Sequence, residues 1–126
     1  AQIARTLHAN GMVHRDLYLC HFLLDTTRQA DQAGIIPPQL FLIDLHRAEQ
    51  RRHLKRRWCV KDVAGLYFSS MDIGLTQRDR LRFIAEYSQR PWHEAIRENK
   101  RFWQQVERRG QAGYREFRRK NPDLFT

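Results

Sequence analysis

Residues Val13–Asp25 read VHRDLYLCHFLLD, and this stretch decides the fold. It opens with His14-Arg15-Asp16-Leu17, and His21 follows four positions after Leu17. An apolar run, Phe22-Leu23-Leu24, comes next. A second apolar run, Leu40-Phe41-Leu42-Ile43, delivers Asp44. Short apolar runs bounded by turn residues read as strands. The pattern is a loop bearing one carboxylate, a short hairpin, and a second carboxylate at the end of the far strand.

Protein kinases use that layout in the motifs H-R-D-L-x-x-x-N and D-F-G. Asp16 takes the place of the carboxylate that accepts the proton of the substrate hydroxyl, and Asp44 that of the carboxylate holding the metal on the phosphates. Two positions depart from the pattern. His21 stands where the kinase asparagine would be, and Asp44 is followed by Leu45-His46. Magnesium favours hard oxygen ligands, so His21 is a weak metal candidate, acting through a water or not at all. The order of the motifs and their strand context carry more weight than the tripeptide alone.

The segments HRDLYLCHFLL, LFLIDLHRA, RRWCVKDVAGLYFSS and GLTQRDRLRF together resemble the bacterial lipopolysaccharide core heptose kinases. The resemblance spans most of the chain. It implies a protein-kinase-like C-terminal lobe, mainly α-helical with a small β hairpin (α+β). It also implies ATP and Mg2+ as cofactors and a heptose of the lipopolysaccharide inner core as acceptor. Asp16 is then the catalytic carboxylate, Arg15 helps fix its loop, and Asp44 is the metal ligand. Protein kinases carry an Asp on a central helix that hydrogen-bonds the backbone of this loop; the resemblance implies that role for Asp62, with His14 also supporting the loop. An exposed Asp62 pairing with Lys61 or Arg57 is the plainer alternative. Kinases acting on the neighbouring Kdo sugar, or on a protein hydroxyl, are rival readings. A non-catalytic basic module that keeps a kinase-like loop is the rival from another class.

The chain has 126 residues and a formal net charge of +9. That length suits one domain. The charge favours anionic partners without choosing among them. An acidic acceptor and peripheral contact with an anionic membrane both fit, and nucleic acid is not expected. Cys20 and Cys59 form no CxxC pair, which argues against a zinc site and suits a reducing compartment. No leader is expected, and no apolar run reaches the ~20 residues a spanning helix needs. The expected location is cytoplasmic, peripheral at the inner membrane.

Ala1–Leu7 reads as the end of a helix stopped near Asn10-Gly11, with Met12-Val13 a strand stub. Thr26–Pro38 is polar, ends in Pro37-Pro38 and reads as a loop, either an excursion near the substrate or a surface insertion. Arg47, Arg51, Arg52, Arg56 and Arg57, with Lys55, crowd the segment after Asp44. Guanidinium forks suit phosphate and carboxylate groups, so these arginines are candidates for binding the acceptor. A solvated charged turn is the plain alternative. Trp58–Met71 reads as a buried helix. Thr76 with Asp79 resembles a capping pair that opens a helix buried through Leu81, Ile84, Ala85 and Tyr87. Pro91 starts a further helix whose core residues are Trp92, Ile96, Trp103 and Val106, ending at Gly110 and Gly113. Residues 110–126 form a basic C-terminal tail. The chain holds neither GxGxxG nor GxxxxGK[ST], and no phosphate-binding lysine with a glutamate partner is identifiable. Residues 1–126 are therefore expected to be the larger lobe alone, without the N-terminal lobe and inactive by themselves.

Overall fold

The structure, a computed structural model, describes residues 1–36 and 38–126; Pro37, half of the proline pair read as a loop signal, lies outside them. The chain begins with α1 (Gln2–Ala9) and β1 (Met12–Val13). A 3-10 turn (Leu19–His21) leads into β2 (Phe22–Leu24), then β3 (Leu40–Leu42) and β4 (Glu49–Gln50). Four helices follow: α2 (Arg56–Ser69), α3 (Gln77–Ser88), α4 (Trp92–Glu98) and α5 (Lys100–Lys120). A last 3-10 turn covers Pro122–Phe125. The expected mainly helical α+β arrangement holds.

The anticipated hairpin forms. β2 pairs antiparallel with β3, with Phe22 opposite Leu42 and Leu24 opposite Leu40. A second ribbon was not anticipated: β1 pairs antiparallel with β4, with Val13 opposite Glu49. This ribbon ties the entrance of the Asp16 loop to the charged segment after Asp44. Between β2 and β3, Asp31 organises the described part of the loop by accepting from the Ala33 and Ile35 amides, each at 2.9 Å.

The core has two apolar clusters, and α2 supplies both. Val60, Val63 and Ala64 pack with Phe102 and Val106 of α5. Leu66 packs with Ala4 of α1 and with Leu17, which follows Asp16. Buried residues follow one another closely along α2 (Val60, Asp62, Val63, Ala64, Leu66), so more than one face is covered. A helix with little amphipathicity is one surrounded by protein. Leu17 is fully buried, and such burial contributes roughly 1.5–3 kcal/mol. It pins the loop carrying Asp16 to the core.

The capping pair forms in full. Asp79 N–H donates to Thr76 Oγ1 at 3.2 Å, and Thr76 N–H donates to Asp79 Oδ2 at 2.9 Å. The buried stripe of α3 differs from the expected one. Tyr87 packs on the core as expected and is joined by Phe83, both themselves half-buried like Leu81, Ile84 and Ala85. Tyr87 stacks on both Phe83 and Phe102, with centroids 6.0 Å apart. Aromatic area dominates such contacts.

The C-terminal part corrects three expectations. The stretch after Pro91 is two helices meeting at Asn99, and Trp92 is 45% exposed, outside the core. Gly110 and Gly113 do not end a helix, because α5 runs through both. A glycine inside a helix costs about 1 kcal/mol, and here close packing offsets it. A Cβ at Gly110 would stand 2.5 Å from Tyr67 Cδ1, so only glycine lets α5 approach α2 this closely. Residues 110–120 are therefore the last turns of α5, and the basic tail is helical up to Lys120.

Candidate active site

The loop from His14 to Leu17 gets its shape from one buried carboxylate. Asp62 is fully buried on α2. Its Oδ1 accepts from the Arg15 amide at 2.8 Å and its Oδ2 from the His14 amide at 2.9 Å. The alternative of an exposed Asp62 paired with Lys61 or Arg57 is thereby excluded. A carboxylate in a core needs compensating donors, and here the loop backbone supplies them.

A further donor comes from α1. His8 Nε2 lies 3.0 Å from Asp62 Oδ2, and its Nδ1 lies 2.6 Å from the Tyr87 hydroxyl. The sequence reading overlooked His8. The available signal was its position on the inner face of α1, four residues after buried Ala4. Burial works against charge on His8, but hydrogen bonds to Asp62 and to Cys59 outweigh it and raise its pKa from 6.5 to about 9. A folded-state pKa above the unfolded one means stabilisation that is complete below about pH 6.5 and lost as pH rises through about 9. The melting temperature should fall across that window, and His8→Gln should flatten the fall. An unchanged slope in the variant would remove His8 from the linkage.

Two histidines join the loop to the hairpin. His14 Nδ1 accepts from the Asp16 amide at 3.3 Å, and its Nε2–H donates to the Ile43 carbonyl at 3.0 Å. This network assigns the neutral Nε2–H tautomer. His21 Nδ1 donates to the Asp16 carbonyl at 2.7 Å. Its Nε2 then faces Asp44 Oδ2, 3.2 Å away. His21 thus bridges the loop carrying Asp16 and the strand end carrying Asp44.

Both carboxylate segments hold unusual backbone. Arg15 has φ +76° and Asp44 φ +61°. Non-glycine residues rarely take positive φ, and such positions gather at functional sites. Asp44 is about one-third exposed, and its other oxygen meets His46 Nδ1. That hydrogen bond lowers the Asp44 pKa against a small burial cost, and the closeness of the His46 imidazole adds to it. Asp16 is more enclosed, with its side chain 14% exposed, and its Oδ1 accepts from Arg47 Nη1 at 2.7 Å.

The arginines after Asp44 do not gather into one patch. Arg47 alone among them reaches a site carboxylate. Arg51 turns to Glu49, with Nη2 at 2.5 Å from Oε2. Glu49 also accepts from Arg15 Nη1 at 2.6 Å, so it fixes the arginine of the loop. Trp58 lies beneath three guanidiniums, those of Arg51, Arg15 and Arg57, at 4.6, 5.6 and 5.1 Å from its ring centre. Cation–π contact of this kind neutralises no charge, but it orders the side chains. Arg52 is exposed and makes no side-chain hydrogen bond or ion pair among the described residues, and Arg56 lines a separate groove beside Tyr87 and Trp103.

Among the described residues no group of three or more His, Cys, Asp or Glu side chains could enclose a metal. Magnesium on nucleotide phosphates needs only one or two protein carboxylates. Asp44, about one-third exposed with the His21 nitrogen beside it, fits that simpler requirement. A larger groove of about 620 Å³ lies between α2, α3 and α5, lined by Leu66, Tyr67, Leu81, Phe83, Ile84 and Val106 among others.

Comparison with known proteins agrees with this geometry. The profile of the lipopolysaccharide kinase (Kdo/WaaP) family matches residues 1–87. The chain is 42% identical over 114 residues to the lipopolysaccharide core heptose(I) kinase WaaP of Pseudomonas aeruginosa PAO1, covering 90% of this chain and 41% of that protein. It is 51% identical over 89 residues to the same-named protein of Escherichia coli K12, covering 69% of this chain and 32% of that protein. A solved structure of WaaP in complex with acyl carrier protein matches with a TM-score of 0.76 at 42% identity, over 90% of this chain and 46% of that one. The chain therefore spans about two-fifths of the length of the P. aeruginosa relative. Its fold is that of the kinase-like WaaP structure, as the sequence led us to expect.

Proposed function

The chain belongs to the lipopolysaccharide kinase (Kdo/WaaP) family, and on that premise we propose that the intact protein moves the γ-phosphoryl group of ATP to a heptose hydroxyl of the lipopolysaccharide inner core. The observation that carries this reading is the His21 bridge, which sets Asp16 and Asp44 on one surface.

Asp16 orients the acceptor hydroxyl and takes its proton. The Arg47 contact keeps the Asp16 carboxylate in place. Asp62 and His8 fix the loop from behind, and Glu49 fixes it through Arg15. Asp44 would hold Mg2+ on the phosphates, with His21 Nε2 as a weaker second contact. Bound Mg2+ neutralises charge on the phosphates and aligns them. Phosphoryl transfer passes through a loose transition state, so positioning and charge do most of the work.

A sugar acceptor other than heptose, Kdo above all, is the nearest alternative within the family. A catalytically silent basic module is the alternative outside it. As a partner we extend to the intact protein an association with acyl carrier protein, supported by the solved relative and by the apolar groove between α2, α3 and α5. Peripheral attachment to the cytoplasmic face of the inner membrane suits the net charge of +9. Among the described residues no helix is long and apolar enough to cross a membrane.

We place the nucleotide-gripping lobe outside these residues. Leu23 and Phe41 on one face of the hairpin and Leu24 and Leu40 on the other are 44–55% exposed, apolar surface of the kind that other protein covers. The test is transfer of labelled phosphate from ATP to a heptose acceptor by the intact protein and by residues 1–126 alone, over a magnesium titration. The intact protein should transfer phosphate and the short chain should not. Asp44→Asn should shift the intact protein's magnesium requirement upward, because an amide is a poorer ligand for a hard cation. An unchanged titration would take Asp44 out of metal binding, and an inactive intact protein would favour the silent module.

A further inference from the structure

Two residues of α2, one turn apart, meet the same residue of the loop. Asp62 accepts from the Arg15 amide at 2.8 Å. Trp58, four positions earlier in the chain, lies under the Arg15 side chain, whose guanidinium carbon stands 5.6 Å from the ring centre. Residues four apart share a helix face, so one stripe of α2 grips both the backbone and the side chain of Arg15. Arg15 immediately precedes Asp16 and holds φ +76°. A side-chain-bearing residue stays in that region only where its surroundings over-determine it.

The ion pairs around Arg15 are weak restraints by themselves. Arg15 Nη1 meets Glu49 Oε1 at 2.6 Å, but the two side chains are 27% and 37% exposed. Pairs this open to water contribute little and are screened by salt. Glu49 is also shared, because Arg51 Nε donates to its Oε2 at 3.0 Å. The Arg51 guanidinium carbon lies 4.6 Å from the centre of the Trp58 ring. Trp58 is thus beneath both arginines that hold Glu49, and a single flat surface orders the triad. The main chain of Arg51 is fixed separately, its N–H donating to the Gly11 carbonyl at 2.8 Å. Each partner of Arg15 is therefore tied either to α2 or to the ribbon of β1 and β4.

Space-filling does not account for a tryptophan here. The indole Nε1 and Arg15 Nε are both buried without a hydrogen-bond partner among the described residues. An unsatisfied buried donor is destabilising, and an aliphatic residue at position 58 would not bring one. What an aliphatic residue lacks is the electron-rich ring face on which a guanidinium rests, and tryptophan has the strongest such face.

We propose that Trp58 is a positioning residue of the phosphotransfer site: its ring holds Arg15 and Arg51 on Glu49, and so keeps the left-handed turn at Arg15 that aims Asp16. The proposal rests on the phosphotransferase reading above. Acting through Arg15, Trp58 bears on the chemical step and not on the binding of either substrate.

The test compares the intact wild-type protein with Trp58→Leu and Trp58→Phe in steady-state kinetics. Trp58→Leu should lower kcat about tenfold, the weight of one partly desolvated cation–π contact. The KM values for ATP and for the acceptor should stay within about twofold, the pattern of a lost interaction that serves only the chemical step. Trp58→Phe keeps a ring face without the indole N–H and should restore most of kcat. In a Glu49→Gln background, Trp58→Leu should have a much smaller effect, because ring and carboxylate act on the same guanidiniums. Unchanged kcat in Trp58→Leu, equal losses in the Leu and Phe variants, a change confined to KM, or strictly additive losses with Glu49→Gln would each overturn the proposal.

A second measurement needs no activity. The Arg15 guanidinium resonance in isotope-labelled protein is assigned by its absence from Arg15→Lys. Its buried Nε–H should exchange slowly with solvent. Exchange should stay slow at molar salt, where the Debye length is about 3 Å and the pair with Glu49 is screened, because the ring still covers the group. Fast exchange of the wild type at molar salt, or slow exchange that survives in Trp58→Leu, would reject the positioning role. This arm decides the matter even where Trp58→Leu does not fold. It also decides it where the wild type transfers no phosphate, a result that sinks the functional reading separately.

Discussion

On the proposed phosphotransfer reading, Asp16→Ala in the intact protein should lower the rate of phosphate transfer by about 10²–10⁴-fold, the contribution of a positioned general base. The fold should hardly notice. The Asp16 side chain makes one ion pair, with Arg47, whose own side chain is 41% exposed. Pairs that open to solvent contribute at most about 1 kcal/mol. The loop backbone does not depend on this carboxylate, because Asp62, His14 and buried Leu17 hold it. Initial rates at saturating ATP, with a thermal melt of the same preparation, separate the two effects. Near wild-type turnover would take Asp16 out of the mechanism. A collapsed melt would show that its role is structural.

Asp62→Ala has the opposite profile, with stability failing first. The carboxylate answers two loop amides and the His8 ring, all in a fully buried setting. Removing one member of a buried charged pair costs about 3–5 kcal/mol, since the other is left uncompensated. A domain has about 5–15 kcal/mol in total, so this is a large share. Urea titration should place the midpoint far below that of the wild type. Adding His8→Leu should return part of the loss, because the stranded imidazolium goes with it. A midpoint within error of the wild type, or strictly additive losses in the double variant, would contradict the buried network.

Much of this architecture was readable in the residues because local signals and global placement agreed. HRDL, the apolar runs flanking the loop, and the Asp44 strand end each sit where the structure needs them. The Thr76–Asp79 capping box is an interaction within one turn and needs no tertiary context. Asp62 was legible for a different reason: an acidic residue inside an apolar helix calls for a buried partner. What the sequence concealed depends on distant packing. The ribbon between β1 and β4 is two residues long on each side, too short for periodicity to mark, and Glu49-Gln50 lies inside a run of charges. Gly110 looks like a helix stop until Tyr67 is known to fill the space above it. Trp92 has helical spacing with Ile96, but Asn99 divides the helix and leaves the indole at the surface. The arginines after Asp44 are alike in sequence, and only the fold decides that Arg47 meets Asp16 and Arg51 meets Glu49.

The left-handed backbone at Arg15 and Asp44 sets two selective pressures against each other. Glycine or asparagine would hold those dihedrals at lower cost, and strain of this kind is worth of order 1–3 kcal/mol at each position. Under selection for durability alone, both positions would drift to the smaller residues. On the proposed reading, selection for turnover would hold them where they are, because the same turns aim Arg15 at Glu49 and Asp44 at His21. Among descendants of this chain that have given up catalysis, these two positions are where the change should be recorded first, ahead of the apolar core that any folded descendant must keep.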